Sequence, residues 1–167
     1  MKIHIIGGSG TGKSYVSEKI SKQYNIPHYD LDNIFWDNKA LTYGTKMPVD
    51  MRTEKLNRIL EQNEWIIEGV FYDWLMDSFE SADYIFILKT KRSVYNYRII
   101  RRFIRRKLGI ERSRKETLKS LMDLLIWTNR YQKRNIPKII SFLEQYQDKV
   151  IIIDKAEKIF NYINHTD

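Results

Sequence analysis

Short apolar runs alternate along this chain with longer amphipathic stretches. Lys2–Ile6 (KIHII) predicts a first strand, and glycines follow it. Between Lys13 and Tyr24, the residues Val16, Ile20 and Tyr24 fall four apart, the spacing of one helix face. Asn25-Ile26-Pro27 ends that helix, because a residue before proline is pushed out of the helical region. His28–Leu31 predicts a second strand that runs into an acidic turn. Helical spacing returns over Asp50–Asn63 at Met51, Leu56, Ile59 and Leu60. Trp65-Ile66-Ile67 predicts a third strand ending at Gly69. Tyr84–Leu88 (YIFIL) is unbroken and apolar, as expected of a strand covered on both faces. Lys149–Ile153 predicts a fifth strand, and Ile159, Phe160 and Ile163 mark a terminal helix.

Strands alternating with helices predict an α/β fold: a parallel sheet with helices on both faces, three layers in all. Functional side chains then belong at the carboxyl ends of the strands. Polar or glycine residues stand at all five predicted ends: the glycines after strand one, Asp30 and Asp32, Glu68 and Gly69, Lys89–Arg92, and Asp154 with Lys155.

The 167 residues suit one compact domain, and a hydrophobic content of 43% supports a sizeable core. The absence of cysteine excludes disulfides, a thiol nucleophile and cysteine-ligated zinc. No apolar stretch approaches the roughly 20 residues that span a bilayer, and no signal-peptide core opens the chain. A cytoplasmic protein without a membrane partner, monomeric or dimeric, is the expectation. Net charge is +8, and the excess is local. Between Lys89 and Lys119, thirteen Lys and Arg side chains oppose only Glu111 and Glu116. Such a block attracts polyanions, whether nucleotide, nucleic acid or acidic lipid.

One motif decides among these. Residues 7–14 read GGSGTGKS, with Gly7, four residues, Gly12, Lys13 and Ser14 in the P-loop spacing. A strand precedes it and a helix follows. Glycine-rich backbone offers bare N–H groups to phosphate oxygens. Gly7, Gly8, Ser9, Gly10, Thr11, Gly12, Lys13, Ser14 and Tyr15 are therefore candidate ligands of ATP. Lys13 reaches β- and γ-phosphates in such loops, and the Ser14 hydroxyl ligates Mg²⁺. In HYDLDNIFW, Asp30 and Asp32 are two apart and would face one side of an extended chain. One could hold Mg²⁺ with Ser14, and the other could take the proton of an attacking hydroxyl. Alternatively, Asp32 caps a helix beginning at Asn33. In YRIIRRFIRR, helical spacing aligns Arg98, Arg101, Arg102 and Arg105, with Ile99, Ile100, Phe103 and Ile104 opposite. That stripe either closes on a triphosphate, with Arg98 and Arg102 catalytic, or binds nucleic acid. Arg130 and Arg134, near Trp127 and Tyr131, could form another wall. Buried His4 is expected in the core. The aromatics near Asp32 and Gly69, among them Phe35 and Tyr72, either fill the core or wall an acceptor pocket.

Taken together, these residues resemble the nucleotide-kinase-like P-loop proteins, and more closely the DNA topology modulation protein (FlaR-related) family. IIGGSGTGKS, HYDLDNIFW, WIIEGVFYDWL and ADYIFILKTKRSVYNYRIIRR carry the resemblance. It implies a P-loop NTPase sheet of order 2-3-1-4-5 and ATP-dependent transfer to a small acceptor such as a nucleoside or nucleotide. It implies an acceptor segment over residues 30–63, with Arg52 on an acceptor phosphate. It also implies a basic lid over 98–134, with Arg98 and Arg102 matching an Arg-x-x-x-Arg spacing. Asp32, Phe35, Arg52, Gly69 and Tyr72 are thereby the candidate acceptor-binding residues. The family's name adds a second expectation, a nucleotide-binding regulator that contacts nucleic acid. Where adenylate kinases place an arginine shortly after the glycine, this chain has Val70-Phe71-Tyr72.

Overall fold

The computed structural model describes residues 1–37, 39–40, 42, 44–111 and 117–164. Arg112, Arg114, Lys115 and Glu116 of the basic block lie outside the described residues. Five strands form one parallel sheet: β1 Lys2–Ile6, β2 His28–Asp30, β3 Trp65–Gly69, β4 Tyr84–Leu88 and β5 Val150–Ile153. Their order is β2-β3-β1-β4-β5, as the resemblance implied. Every neighbouring pair is parallel, and Ile6 of β1 stands level with Gly69 and with Ile87.

Both faces of the sheet are covered, which explains the unbroken apolar runs. Alternate residues of each strand serve opposite cores. Ile3, Ile5, Ile66, Phe86 and Leu88 pack with Val16 and Ile20 of α1 (Lys13–Tyr24) and with the C-terminal Ile159 and Ile163. Ile6, Ile67, Ile85 and Ile87 pack against the helices of the other layer. These are α2 (Asp32–Phe35), α3 (Val49–Leu60), α4 (Met76–Ser81) and α7 (Ile136–Phe142). After β4 come α5 (Arg92–Lys107) and α6 (Leu118–Arg130), which pack on each other. A π-helical turn, Tyr131–Asn135, joins α6 directly to α7. No helix among the described residues is long and apolar enough to cross a membrane.

Four expectations change. The second strand stops at Asp30, and Asp32 opens a one-turn helix, so the two aspartates do not share a strand face. The cap is made the other way round, with Asp30 Oδ1 accepting the Asp32 N–H at 2.9 Å. Asn25 ends α1 in the left-handed conformation at φ 56°, ahead of any effect of Pro27. The terminal helix divides into a 3-10 turn, Ala156–Ile159, and α8, Phe160–Ile163. Short α4 carries no clear helical period and was not expected.

His4 sits in the core as predicted, its Nδ1 2.8 Å from Ser78 Oγ and its ring 4.7 Å from that of Phe79. Burial pushes its pKa down from 6.5 to about 3, against a smaller upward pull from Glu68. Between those limits the unfolded chain binds a proton that the folded chain refuses. Stability is therefore fully present above pH 6.5 and is lost as pH falls, by up to about 1.4 kcal/mol per pH unit. We expect urea unfolding to show this loss between pH 7 and pH 5, and His4→Leu to flatten it. Equal losses in both proteins would refute the assignment.

Candidate functional site

The glycine-rich turn leaves β1 and enters α1 through Gly12, whose φ of 101° suits glycine and few other residues. The turn is tied down locally. Gly7 N–H donates to the Gly69 carbonyl at 3.1 Å, and Thr11 Oγ1 donates to the Gly8 carbonyl at 2.8 Å. Gly8 also lies under the π-helical turn: a Cβ there would stand 3.2 Å from the Tyr131 ring.

Five ionisable groups from four different elements gather at the head of α1. The Glu68 carboxylate, only 1% exposed at the end of β3, lies 3.3 Å from Lys13 Nζ and 3.7 Å from His28 Nε2. Burial alone would raise its pKa; His28, Lys13 and Ser14 together hold it below the ordinary value. Asp30 and Asp32 feel the same corner. Loss of water and the charge of Glu68 hold both carboxyls above their ordinary range, and Lys13 opposes the shift. The two aspartates thus converge on Lys13 through the β2–α2 turn, by a route different from the expected strand face. Tyr15 points away, 54% exposed, with Lys19 above its ring.

The arginine stripe splits into two pairs. Arg98 Nη1 donates to the Thr11 carbonyl at 3.0 Å and to that of Gly10 at 3.5 Å. Arg102 Nη2 donates to Ser9 Oγ at 3.0 Å. Arg105 instead binds Glu111 at 2.6 Å, and Arg101 is exposed. The apolar side splits too: Ile99 and Phe103 are buried, whereas Ile100 and Ile104 face solvent. One flank of α5 therefore grips the P-loop, and the rest does not.

The expected acceptor residues separate. Phe35 stacks on Phe71, ring centroids 4.1 Å apart, and Arg52 lies 4.8 Å over Phe35 and 5.3 Å over Trp74. Arg52 Nε is buried without a hydrogen-bond partner among the described residues. Gly69 packs where a Cβ would meet Leu31 at 2.8 Å. Tyr72 alone of that set lines a cavity of about 300 Å³. This cavity lies between the loop after β3 and the end of α6. Phe71, Tyr72, Trp127 and Tyr131 supply its rings, and Asp73, Arg130 and Asn135 its polar groups. Trp127 and Tyr131 stack at 5.2 Å, and the Tyr131 hydroxyl donates to the Val70 carbonyl at 2.8 Å. Asp73 and Asn135 escaped the sequence reading. Nothing local marks them; the π-helical turn that aims Asn135 inward has no plain sequence signature. Arg134, the other proposed wall residue, is exposed.

No family model matches this chain. It is 36% identical over 73 residues to an uncharacterized protein, YqaC, of Bacillus subtilis, a match covering 43% of this chain and 39% of that protein. It is 30% identical over 83 residues to an adenylate kinase of Lachnospira eligens, covering 50% of this chain and 36% of the relative. Each match thus spans less than two-fifths of the relative's length. Among solved structures, a gluconokinase from Sinorhizobium meliloti superposes with TM-score 0.52 at 19% identity, covering 96% of this chain and 87% of that one. A shikimate kinase from Aquifex aeolicus gives 0.53 at 17% identity, covering 98% and 94%. The fold is that of the P-loop kinases.

The Arg98 contacts predict a structural role beside any chemical one. We expect Arg98→Ala to lower the unfolding free energy by about 1–2 kcal/mol, because two loop carbonyls lose a charged donor. Arg101→Ala, at an exposed position, should cost less than about 0.5 kcal/mol. Urea denaturation of both variants checks the difference.

Proposed function

We propose that this protein is an ATP-dependent phosphotransferase acting on a small hydroxylated acceptor. The observation that carries the reading is the cluster of Lys13, Asp30, Asp32 and Glu68 at the head of the P-loop. A module that merely tethers a nucleotide has no use for two carboxyls held above their ordinary pKa beside the phosphate cradle. The backbone N–H groups from Gly8 to Tyr15 and the Lys13 ammonium bind the triphosphate, the Gly7 N–H being held by Gly69. Lys13 then exchanges Glu68 for phosphate. Arg98 and Arg102, already on the loop, lie one side-chain swing from it.

The oxygen donors of Ser14 and Asp30 suit Mg²⁺, which keeps several waters and phosphate oxygens and needs few protein ligands. When bound, Mg²⁺ neutralises charge on the β- and γ-phosphates. Asp30 is anchored by the Asp32 N–H, which suits a ligand-holding role. Asp32 is exposed, with a carboxyl held above its ordinary range, which suits a proton acceptor. The acceptor hydroxyl attacks the γ-phosphorus; its proton passes to Asp32, the new O–P bond forms, and the β–γ bridging oxygen leaves with ADP. The aromatic cavity between Phe71 and Trp127 is the acceptor site in this reading.

Two substitutions test this. Lys13→Ala should nearly abolish ATP binding while the fold persists. Asp32→Asn should leave ATP affinity within about threefold but lower turnover at least about a hundredfold, the scale of general-base catalysis. Unchanged ATP binding in the first variant, or a pure affinity loss in the second, overturns the reading. If the exposed cations serve nucleic acid instead, DNA affinity should fall steeply with salt in the unmodified protein.

A further inference from the structure

We propose that the acceptor is an uncharged compound carrying a flat heterocyclic ring and a free hydroxyl, of the nucleoside class. It is neither a phosphorylated nor an aliphatic acceptor. This inference rests on the kinase reading above and on its choice of acceptor cavity.

Three observations carry it. The first is the wall chemistry: four aromatic rings surround about 300 Å³, a small-molecule volume. Trp127 stacks on Tyr131 yet stays 42% exposed, so part of the indole surface remains accessible for a further ring. A linear polyol acid would bury its hydroxyls against these rings without partners, at a cost for each. A planar heterocycle stacks on them.

The second is charge. Asp73 and Arg130 give the cavity one anion and one cation. A phosphomonoester brings nearly two negative charges at pH 7. Sites that select it offer a surplus of cations, whereas here Asp73 offsets the one guanidinium of Arg130. Arg52, the remaining candidate, is not part of the cavity lining, and its guanidinium is stacked on Phe35 and Trp74. The third is the edge chemistry. The Asn135 amide donates and accepts, and the Asp73 carboxylate accepts, which suits the mixed polar edge of a nucleobase. Tyr131, which backs the Trp127 ring, also meets the P-loop at Gly8, so a ring seated on Trp127 lies beside the P-loop. The ligand's free hydroxyl attacks the γ-phosphorus as the β–γ bridge breaks. Its proton goes to Asp32 and ADP departs.

The full-length protein is titrated with adenosine, guanosine, cytidine and thymidine, with their 5′-monophosphates, and with gluconate and shikimate. Each titration is run with and without a non-hydrolysable ATP analogue, read by tryptophan fluorescence and calorimetry. At least one nucleoside should bind at least about tenfold tighter than its monophosphate and than either acid. Trp127→Ala should weaken that nucleoside about tenfold or more, the scale of one base–aromatic stack. Trp127→Phe should restore most of the loss, and Asn135→Ala should weaken it while leaving the fold intact. The ATP analogue should bind all three variants within about twofold of the parent. Tighter binding of a monophosphate or acid, no nucleoside binding at millimolar concentration, or equal effects of Ala and Phe at 127 overturns the inference. None of those results touches the kinase reading. Failure of the ATP analogue to bind the parent protein sinks that reading instead, and the titrations without it still decide the ligand class.

Discussion

A carboxylate buried as deeply as Glu68 must be paired, because an isolated charge in the interior is far too costly to keep. Lys13 meets that requirement at 3.3 Å, and His28 Nε2 stands 3.7 Å from the carboxylate on another element. The pairing draws the first turn of α1 against the end of β3 and holds β2 alongside. The Gly7–Gly69 backbone bond makes the same connection a residue away. Position and charge of the phosphate cradle thus follow from one electrostatic demand at the centre of the sheet's carboxyl edge. The demand also has a chemical side. A lysine held by Glu68 at 3.3 Å is largely withdrawn from water and fixed beside the glycine-rich turn.

The second organising contact is between the loop and the helices beyond β4. Arg98 and Arg102 grasp the P-loop from α5, and Tyr131 presses on Gly8 from the end of α6. Tyr95 of α5 bonds Asn129 of α6 at 2.8 Å, which joins the two helices. The Tyr131 hydroxyl then reaches across to Val70. The P-loop and the aromatic cavity are therefore neighbours, with Tyr131 between them. Burial pushes the Tyr131 phenol up, so it remains a donor to the Val70 carbonyl at any pH the protein meets.

Most of the sheet was legible in the sequence. Period-two and continuous apolar runs mark strands, and a P-loop requires a strand before it and a helix after it. Strand order was not legible from the runs themselves, since pairing is non-local; it came from resemblance and agrees with the topology. The site was readable where chemistry is written in contiguous residues, as in Gly7–Ser14. It was misread where two residues depend on a turn. The same-face argument for Asp30 and Asp32 presumed extended backbone, but the chain coils at Leu31 because the Asp30 side chain caps the next turn. Arg52 was expected on an acceptor phosphate; its guanidinium lies over the rings of Phe35 and Trp74, a packing that the sequence did not show. Helical spacing placed four arginines in line but could not say which flank would find loop carbonyls and which would find Glu111.

The π-helical turn at Tyr131–Asn135 bears on how this region tolerates change in length. Such a turn is an α-helix with one residue too many, held because what it presents is worth the weaker hydrogen bonds. Deleting a single residue within it would let the helix run on in ordinary geometry from α6 into α7. Each residue of an α-helix turns the chain by about 100°, so the deletion would rotate α6 by that angle relative to α7. Trp127 would leave the cavity wall, the Tyr95–Asn129 bond would break, and Gly8 would lose its cover, although every side chain named here would still be present. A one-residue deletion at this point would therefore reshape the cavity more than any single substitution on its surface.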